Sequence, residues 1–248
     1  MKTIVLNLAT EYRDEGEGPA ILLLHGWGDT LRTFDALAAE LGKTRRVIRL
    51  DLPGFGGSEI TQQAWNVSAY ANFVRAFLEK LGIAPKTIIG HSFGGRIAIK
   101  GVAQKILTPE QLILIAAAGN ANRKTLRSAG FAALAKTGKV VSLVLPHAMQ
   151  EKLRARLYAK AGSDYLDAGL MRETFLNVVR EDLTHDAEKI AIPTLIIWGA
   201  DDATTPLYDG RRFHKNIPGS RLEVIEGAGH FVHREKAAEV ARLIETFI

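Results

Sequence analysis

Short, largely apolar runs recur along this chain, each followed by a turn rich in glycine, proline or small polar residues. The runs are Ala20–Leu24, Arg46–Leu50, 87–89, Gln111–Ile115, 193–198 and Arg221–Ile225. Runs this short with little polar alternation suit strands covered on both faces, as in a parallel sheet flanked by helices. Residues 3–8 alternate instead, which predicts an outer strand with 9–13 as its partner. Between the runs lie segments of helical spacing. In 31–41 the apolar residues Phe34, Leu37, Ala38 and Leu41 form one stripe. Residues 68–81 predict a second helix, N-capped by Ser68, and a third begins near Arg96. Strand alternating with helix is the signature of an α/β fold.

The alternation stops between Gly119 and Asp186, where four helices are predicted at 124–137, 140–145, 150–161 and 166–179. Five basic residues, Arg123, Lys124, Arg127, Lys136 and Lys139, fall in 119–150 without a single acid. They are read as a solvated helix face rather than a basic lip for acidic substrates. A chain of 248 residues with 47% hydrophobic content can bury one sizeable core, so one domain with an insertion is expected.

Cysteine is absent, which excludes a disulfide framework and thiolate metal sites. The first fifteen residues carry one early lysine, a very short apolar run and then acids, unlike a secretory signal. No apolar run approaches the roughly 18 residues of a spanning helix. The expectation is a soluble cytoplasmic protein without integral membrane association. Net charge is +5, but the basic residues are mostly scattered among acids with no aromatic-interleaved patch, so no nucleic-acid partner is expected.

The chemistry centres on Gly90-His91-Ser92-Phe93-Gly94. This G-x-S-x-G pattern stands where a buried strand must turn sharply into a helix, so Ser92 is held exposed in a strained backbone at the carboxyl edge of the sheet. The backbone N–H of Phe93 and the positive end of the helix lie beside its hydroxyl. The run 20–24 ends in His25-Gly26-Trp27-Gly28, a loop able to turn the N–H of Trp27 toward the same spot as a second oxyanion donor. His25 is read as tying down that turn, and Asp51, in Asp51-Leu-Pro-Gly-Phe-Gly-Gly-Ser58, as part of a fixed turn.

A serine hydroxyl needs a base, and the base needs a carboxylate to fix its tautomer. Two later runs deliver them. After 193–198 comes Gly199-Ala-Asp201-Asp202, and after Arg221–Ile225 comes Glu226-Gly-Ala-Gly-His230. His233 is a local rival to His230, placed by the pattern in the last helix. The order Ser92, Asp202, His230 is nucleophile, acid, base.

With these motifs in hand the chain resembles the α/β-hydrolase fold superfamily, in its serine hydrolase branch with a helical cap. The resemblance rests on H-G-W-G at 25–28, D-x-P-G-x-G-x-S at 51–58, G-x-S-x-G at 90–94, W-G-x-x-D at 198–202 and G-A-G-H at 227–230. It implies a mostly parallel eight-stranded sheet flanked by helices, with a core of residues 1–118 and 187–248 and a helical cap inserted after strand 6 at 119–186. By position in W-G-x-x-D it favours Asp202 over Asp201 as the acid. It implies a carboxylic-ester hydrolase for small to medium acyl chains, with catalytic Ser92, Asp202 and His230, oxyanion donors Trp27 and Phe93, and no cofactor or metal. The expected partner is a small-molecule ester, and the assembly a monomer or homodimer. Serine in place of aspartate as nucleophile disfavours the dehalogenase and epoxide-hydrolase branches. A C–C bond hydrolase of ring-cleavage diketones, a cofactor-free haloperoxidase-like enzyme and a slow-turnover ligand receptor are the alternatives that the resemblance leaves open.

Overall fold

The computed structural model describes residues 1–120 and 171–248. Eight strands form one sheet: β1 (Lys2–Val5), β2 (Leu8–Glu15), β3 (Ala20–Leu24), β4 (Arg46–Leu50), β5 (Thr87–His91), β6 (Gln111–Ile115), β7 (Thr194–Gly199) and β8 (Arg221–Ile225). Their spatial order is β1-β2-β4-β3-β5-β6-β7-β8. The β1–β2 and β2–β4 pairings are antiparallel, and every other neighbour is parallel. The expected pairing of residues 3–8 with 9–13 differs in the structure at its turn. Leu6 and Asn7 both take positive φ, 47° and 64°, so the first strand stops at Val5 and a two-residue turn starts β2 at Leu8.

The order of the sheet reverses its direction at β3, which places the carboxyl ends of β3 and β5 side by side. That crevice is where open α/β sheets present their ligand sites. Residues alternate between two cores along each strand. Leu22, Leu24 and Ile88 face a layer containing α2 (Val67–Leu81) and α3 (Phe93–Ala103), whereas Ile21, Leu23 and Ile89 face α1 (Asp35–Leu41) and the C-terminal helix. The central strands are thus buried on both faces, which is why their sequences read as apolar runs.

The helix predicted at 31–41 divides into a short 3₁₀ turn, Leu31–Phe34, and then α1. The second helix is capped not by Ser68 but by Asn66, whose side chain accepts from the N–H of Ala69 at 2.9 Å. Asn and Ser are comparable caps, so the spacing to the first N–H groups, rather than propensity, decides between them. At its other end Gly82 adopts the left-handed conformation and closes the helix.

The connection from β6 to β7 includes α4 (Arg172–Arg180), inside the expected cap at 119–186, and α5 (Thr184–Ala187), which overruns that bound by one residue. The expected helices at 124–137, 140–145 and 150–161, and the basic residues Arg123 to Lys139, lie outside the described residues; of 166–179 the part from 171 onward is described. The segment that returns from that region is bolted to α3. The buried Arg96 guanidinium donates to the carbonyls of Val178 and Glu181 at 2.7 and 2.8 Å, satisfying acceptors at the end of α4. One turn on, Lys100 pairs with Glu181 at 2.7 Å and Asp186 at 2.9 Å.

The remaining helices are α6 (Leu207–Asn216), α7 (Val232–Glu235) and α8 (Ala237–Phe247). Where α3 leaves β5, packing is closest. A Cβ on Gly94 would stand 2.0 Å from the carbonyl oxygen of Leu24, and one on Gly90 would stand 2.5 Å from the Gly94 oxygen. Only missing side chains allow this helix to sit so near the sheet. Gly94→Ala is expected to cost roughly 2–4 kcal/mol, because backbone must move to admit the methyl. Urea unfolding with wild-type stability in that variant would contradict the contact.

Candidate active site

Ser92 is the hinge between β5 and α3, and its backbone has φ 50° and ψ −107°, a conformation that costs a non-glycine residue energy. The surrounding fold enforces it: the Ser92 N–H donates to Ile115 and the Ser92 carbonyl accepts from Arg96 and Ala118. The side chain is half-buried while both chain neighbours, His91 and Phe93, are buried. Among the described residues the N–H of Phe93 makes no hydrogen bond, as suits the first turn of a helix with a free donor.

The loop after β3 lies against this turn. A Cβ on Gly26 would approach the Ser92 Cβ to 3.5 Å, so the Trp27 segment runs directly beside the serine. Among the described residues the N–H of Trp27 is also without an acceptor. The indole packs among Phe55, Phe93 and Phe175, with ring centroids 4.9, 5.3 and 5.1 Å away. Phe175 belongs to α4, so the segment bolted by Arg96 reaches the Trp27 loop itself.

The side chains of His25 and Asp51 hydrogen-bond the turns in which they lie. His25 is fully buried and bonds through both ring nitrogens: Nδ1 to the carbonyl of Gly26 at 2.7 Å and Nε2 from the N–H of Leu52 at 2.9 Å. One nitrogen donates and the other accepts, so the ring is neutral. The Asp51 carboxylate accepts from the N–H groups of Leu31 and Gly57 at 2.6 and 2.8 Å.

Asp202 and His230 meet across the ends of β7 and β8. Asp202 Oδ2 lies 2.8 Å from His230 Nδ1, and Oδ1 accepts from the N–H groups of Thr204 and Thr205 at 2.8 Å each. The Asp202 side chain has no exposed surface, and that of His230 has 11%. Burial alone would raise the carboxyl pKa, but the hydrogen bond and charge of His230 and the Thr205 donors outweigh it and hold it below the usual value. The adjacent Asp201 is exposed, its N–H bonded to the carbonyl of Ala228.

Sequence reasoning passed over Thr205. Its hydroxyl lies 2.8 Å from Asp202 Oδ2, 3.1 Å from His230 Nδ1 and 3.1 Å from the carbonyl of Ala116. A threonine three residues past an acid reads as ordinary turn chemistry, so nothing in the sequence marked it.

Among the described residues no hydrogen bond joins the Ser92 hydroxyl to His230. What the structure does bring together is His230 and the residue before the serine, with the rings of His91 and His230 4.8 Å apart. His233 sits in α7 rather than in the last helix, fully buried, its Nε2 3.1 Å from the Thr33 hydroxyl. No group of three or more metal-binding side chains is found among the described residues, and no helix there is long and apolar enough to cross a membrane.

These buried imidazoles predict an acid-sensitive fold. Burial, with His233, His230 and His25 nearby, holds His91 well below its usual 6.5; burial, with Arg234 and His230, brings His233 to about 3. Unfolding lets both take up protons near pH 6.5, so their contribution is intact above that pH and declines as pH falls below it. Each adds about 1.4 kcal/mol per pH unit to the slope of stability over the range in which the unfolded chain takes up the proton and the folded ring does not. The urea midpoint should fall steeply between pH 6.5 and 4.5, and His233→Gln should halve the slope. A midpoint unchanged from pH 7 to pH 5 would refute this.

The comparisons with known proteins agree with the architecture. A protein of Mycobacterium tuberculosis without assigned activity is 32% identical, over 96% of this chain and 77% of that protein. The pimeloyl-[acyl-carrier protein] methyl ester esterase of Neisseria meningitidis is 28% identical, over 92% of this chain and 93% of that one. The solved meta-cleavage product hydrolase CumD of Pseudomonas fluorescens superposes with a TM-score of 0.76 at 22% identity, covering 100% of this chain and 96% of that one, a likeness of fold. A sequence profile described as the alpha/beta hydrolase family matches residues 21–243, and the chain belongs to that family.

Proposed function

We propose that the protein hydrolyses carboxylic esters of small to medium acyl chains through Ser92, His230 and Asp202. The observation that carries this reading is the buried Asp202 carboxylate 2.8 Å from His230 Nδ1, at the same edge of the sheet as the strained Ser92. Asp202 fixes the proton on Nδ1 and so leaves Nε2 as the base. In the reaction Ser92 Oγ attacks the acyl carbonyl while His230 Nε2 accepts the hydroxyl proton. The N–H groups of Trp27 and Phe93 receive the developing oxyanion. His230 then returns the proton to the leaving alcohol, and water, deprotonated in turn by His230, releases the acid from the acyl-enzyme. The Ser92–His230 hydrogen bond forms on substrate binding, a step at which catalytic hydrogen bonds commonly tighten.

The relationship to an esterase that acts on a carrier-bound methyl ester supports the ester class. The fold likeness to a meta-cleavage product hydrolase keeps C–C cleavage of ring-fission diketones as the second reading, together with Phe231 beside His230, its ring 5.4 Å away. p-Nitrophenyl esters of increasing chain length, assayed beside a dienoate diketone, separate them. Multiple turnovers on short and medium esters with the diketone inert are expected. Faster turnover of the diketone would move the assignment to C–C hydrolysis, and tight binding without turnover would move it to a receptor.

A further inference from the structure

His91, the residue before the nucleophile, carries a pair of features that packing alone does not explain. It is 1% exposed, and its Nε2 lies 3.0 Å from the main-chain carbonyl of His230. A carbonyl only accepts, so Nε2 carries the proton and Nδ1 is left with its lone pair. Nδ1 is itself buried and, among the described residues, has no hydrogen-bond partner. It faces the oxyanion loop: a Cβ added to Gly26 would come within 3.1 Å of it. A buried imidazole with one nitrogen unsatisfied costs stability that an apolar residue of similar size would not.

Three loops far apart in the chain therefore converge on one ring. His91 belongs to the elbow by covalent linkage to Ser92, holds the base loop by donating to the carbonyl of His230, and packs against the glycine that precedes Trp27. We infer that His91 is a positioning residue that locks the main chain of the base at residue 230 to the nucleophile elbow, with the Gly26 turn closed against its other edge. This inference rests on the assignment of Ser92 and His230 made above. Asp202 fixes the imidazole of residue 230 from its Nδ1 side, and the N–H groups of Asp201 and Gly229 hold the loop just before it, bonded to the Ala228 carbonyl and the Glu235 carboxylate. The bond from His91 anchors the backbone of that same residue. Displacements of about 1 Å at a reacting group can cost on the order of a hundredfold in rate.

The test pairs two substitutions. His91→Gln keeps an N–H donor at nearly the reach of Nε2, and His91→Leu keeps the bulk and removes the donor. With the best p-nitrophenyl ester, His91→Leu should lower kcat by about 10- to 100-fold with KM changed less than threefold. His91→Gln should stay within about threefold of wild type. A residue serving only to fill space would give the opposite ranking, since leucine is the better core residue, and equal activity of the leucine variant overturns the inference. Long-range ¹H–¹⁵N spectra of the wild-type protein provide a readout independent of activity and of the variants' folding: His91 should be the neutral tautomer protonated at Nε2, and protonation at Nδ1 overturns the inference. If wild type neither turns over esters nor reacts with a fluorophosphonate at Ser92, the serine hydrolase reading fails, while the tautomer measurement still decides whether His91 holds residue 230.

Discussion

Ser92→Ala is expected to lower ester turnover by about four to six orders of magnitude while leaving the fold intact. The size follows from the way the parts depend on one another. In the proposed mechanism no acyl-enzyme forms without the hydroxyl, so His230 has no Ser92 proton to take and Asp202 no imidazolium to stabilise, and only the N–H groups of Trp27 and Phe93 remain to favour attack by water. Folding should survive because the hydroxyl is not what holds the turn. The strained backbone, φ 50°, is fixed by main-chain bonds to Ile115, Arg96 and Ala118 and by the close packing of Gly90 and Gly94. Alanine pays a similar conformational cost to serine at that φ. The measurement is steady-state hydrolysis of the preferred ester, with circular dichroism and thermal unfolding to confirm the fold. Turnover within tenfold of wild type in a folded variant would remove Ser92 from the chemistry.

Much of this arrangement was legible in the sequence, for a physical reason. Strands buried on both faces have to be apolar throughout, so β3, β5, β6 and β7 announced themselves to within about two residues, and the turn chemistry that follows each strand is dictated by close approach of backbones. Gly94, whose Cβ would strike Leu24, is one such residue. The family pattern pointed to Asp202 over Asp201, and the two differ in the structure: the first is buried against His230 and the second is exposed. Contacts between loops were not legible. Nothing local tells that Asn66 rather than Ser68 caps α2, that Thr205 stands over Asp202, or that His91 donates to a carbonyl 139 residues away. Each depends on where the sheet brings distant strand ends. Histidine and threonine in loops carry no periodicity by which such placement could be inferred.

The second large effect concerns the acid. Asp202→Asn is expected to reduce kcat by about 10⁴-fold, and Asp201→Asn by no more than about threefold. The hydrogen-bond pattern around position 202 dictates the difference. Oδ1 accepts from two main-chain N–H groups, those of Thr204 and Thr205. An asparagine must keep its oxygen there, because turning the amide would set its NH₂ against both donors. The NH₂ is then forced toward His230 Nδ1, where Oδ2 now stands at 2.8 Å. Nδ1 can no longer donate in that direction and becomes an acceptor, so the ring proton moves to Nε2, the nitrogen that the proposed mechanism needs free to receive the proton of Ser92. The substitution thus leaves shape and packing nearly unchanged and inverts the tautomer of the base. Asp201 projects into solvent from a residue whose structural bond is made by its own N–H to Ala228, so loss of its charge leaves that bond in place. Equal losses in both variants, or a larger loss at 201, would separate the buried carboxylate from the reaction and leave its bond to His230 as a device of folding alone.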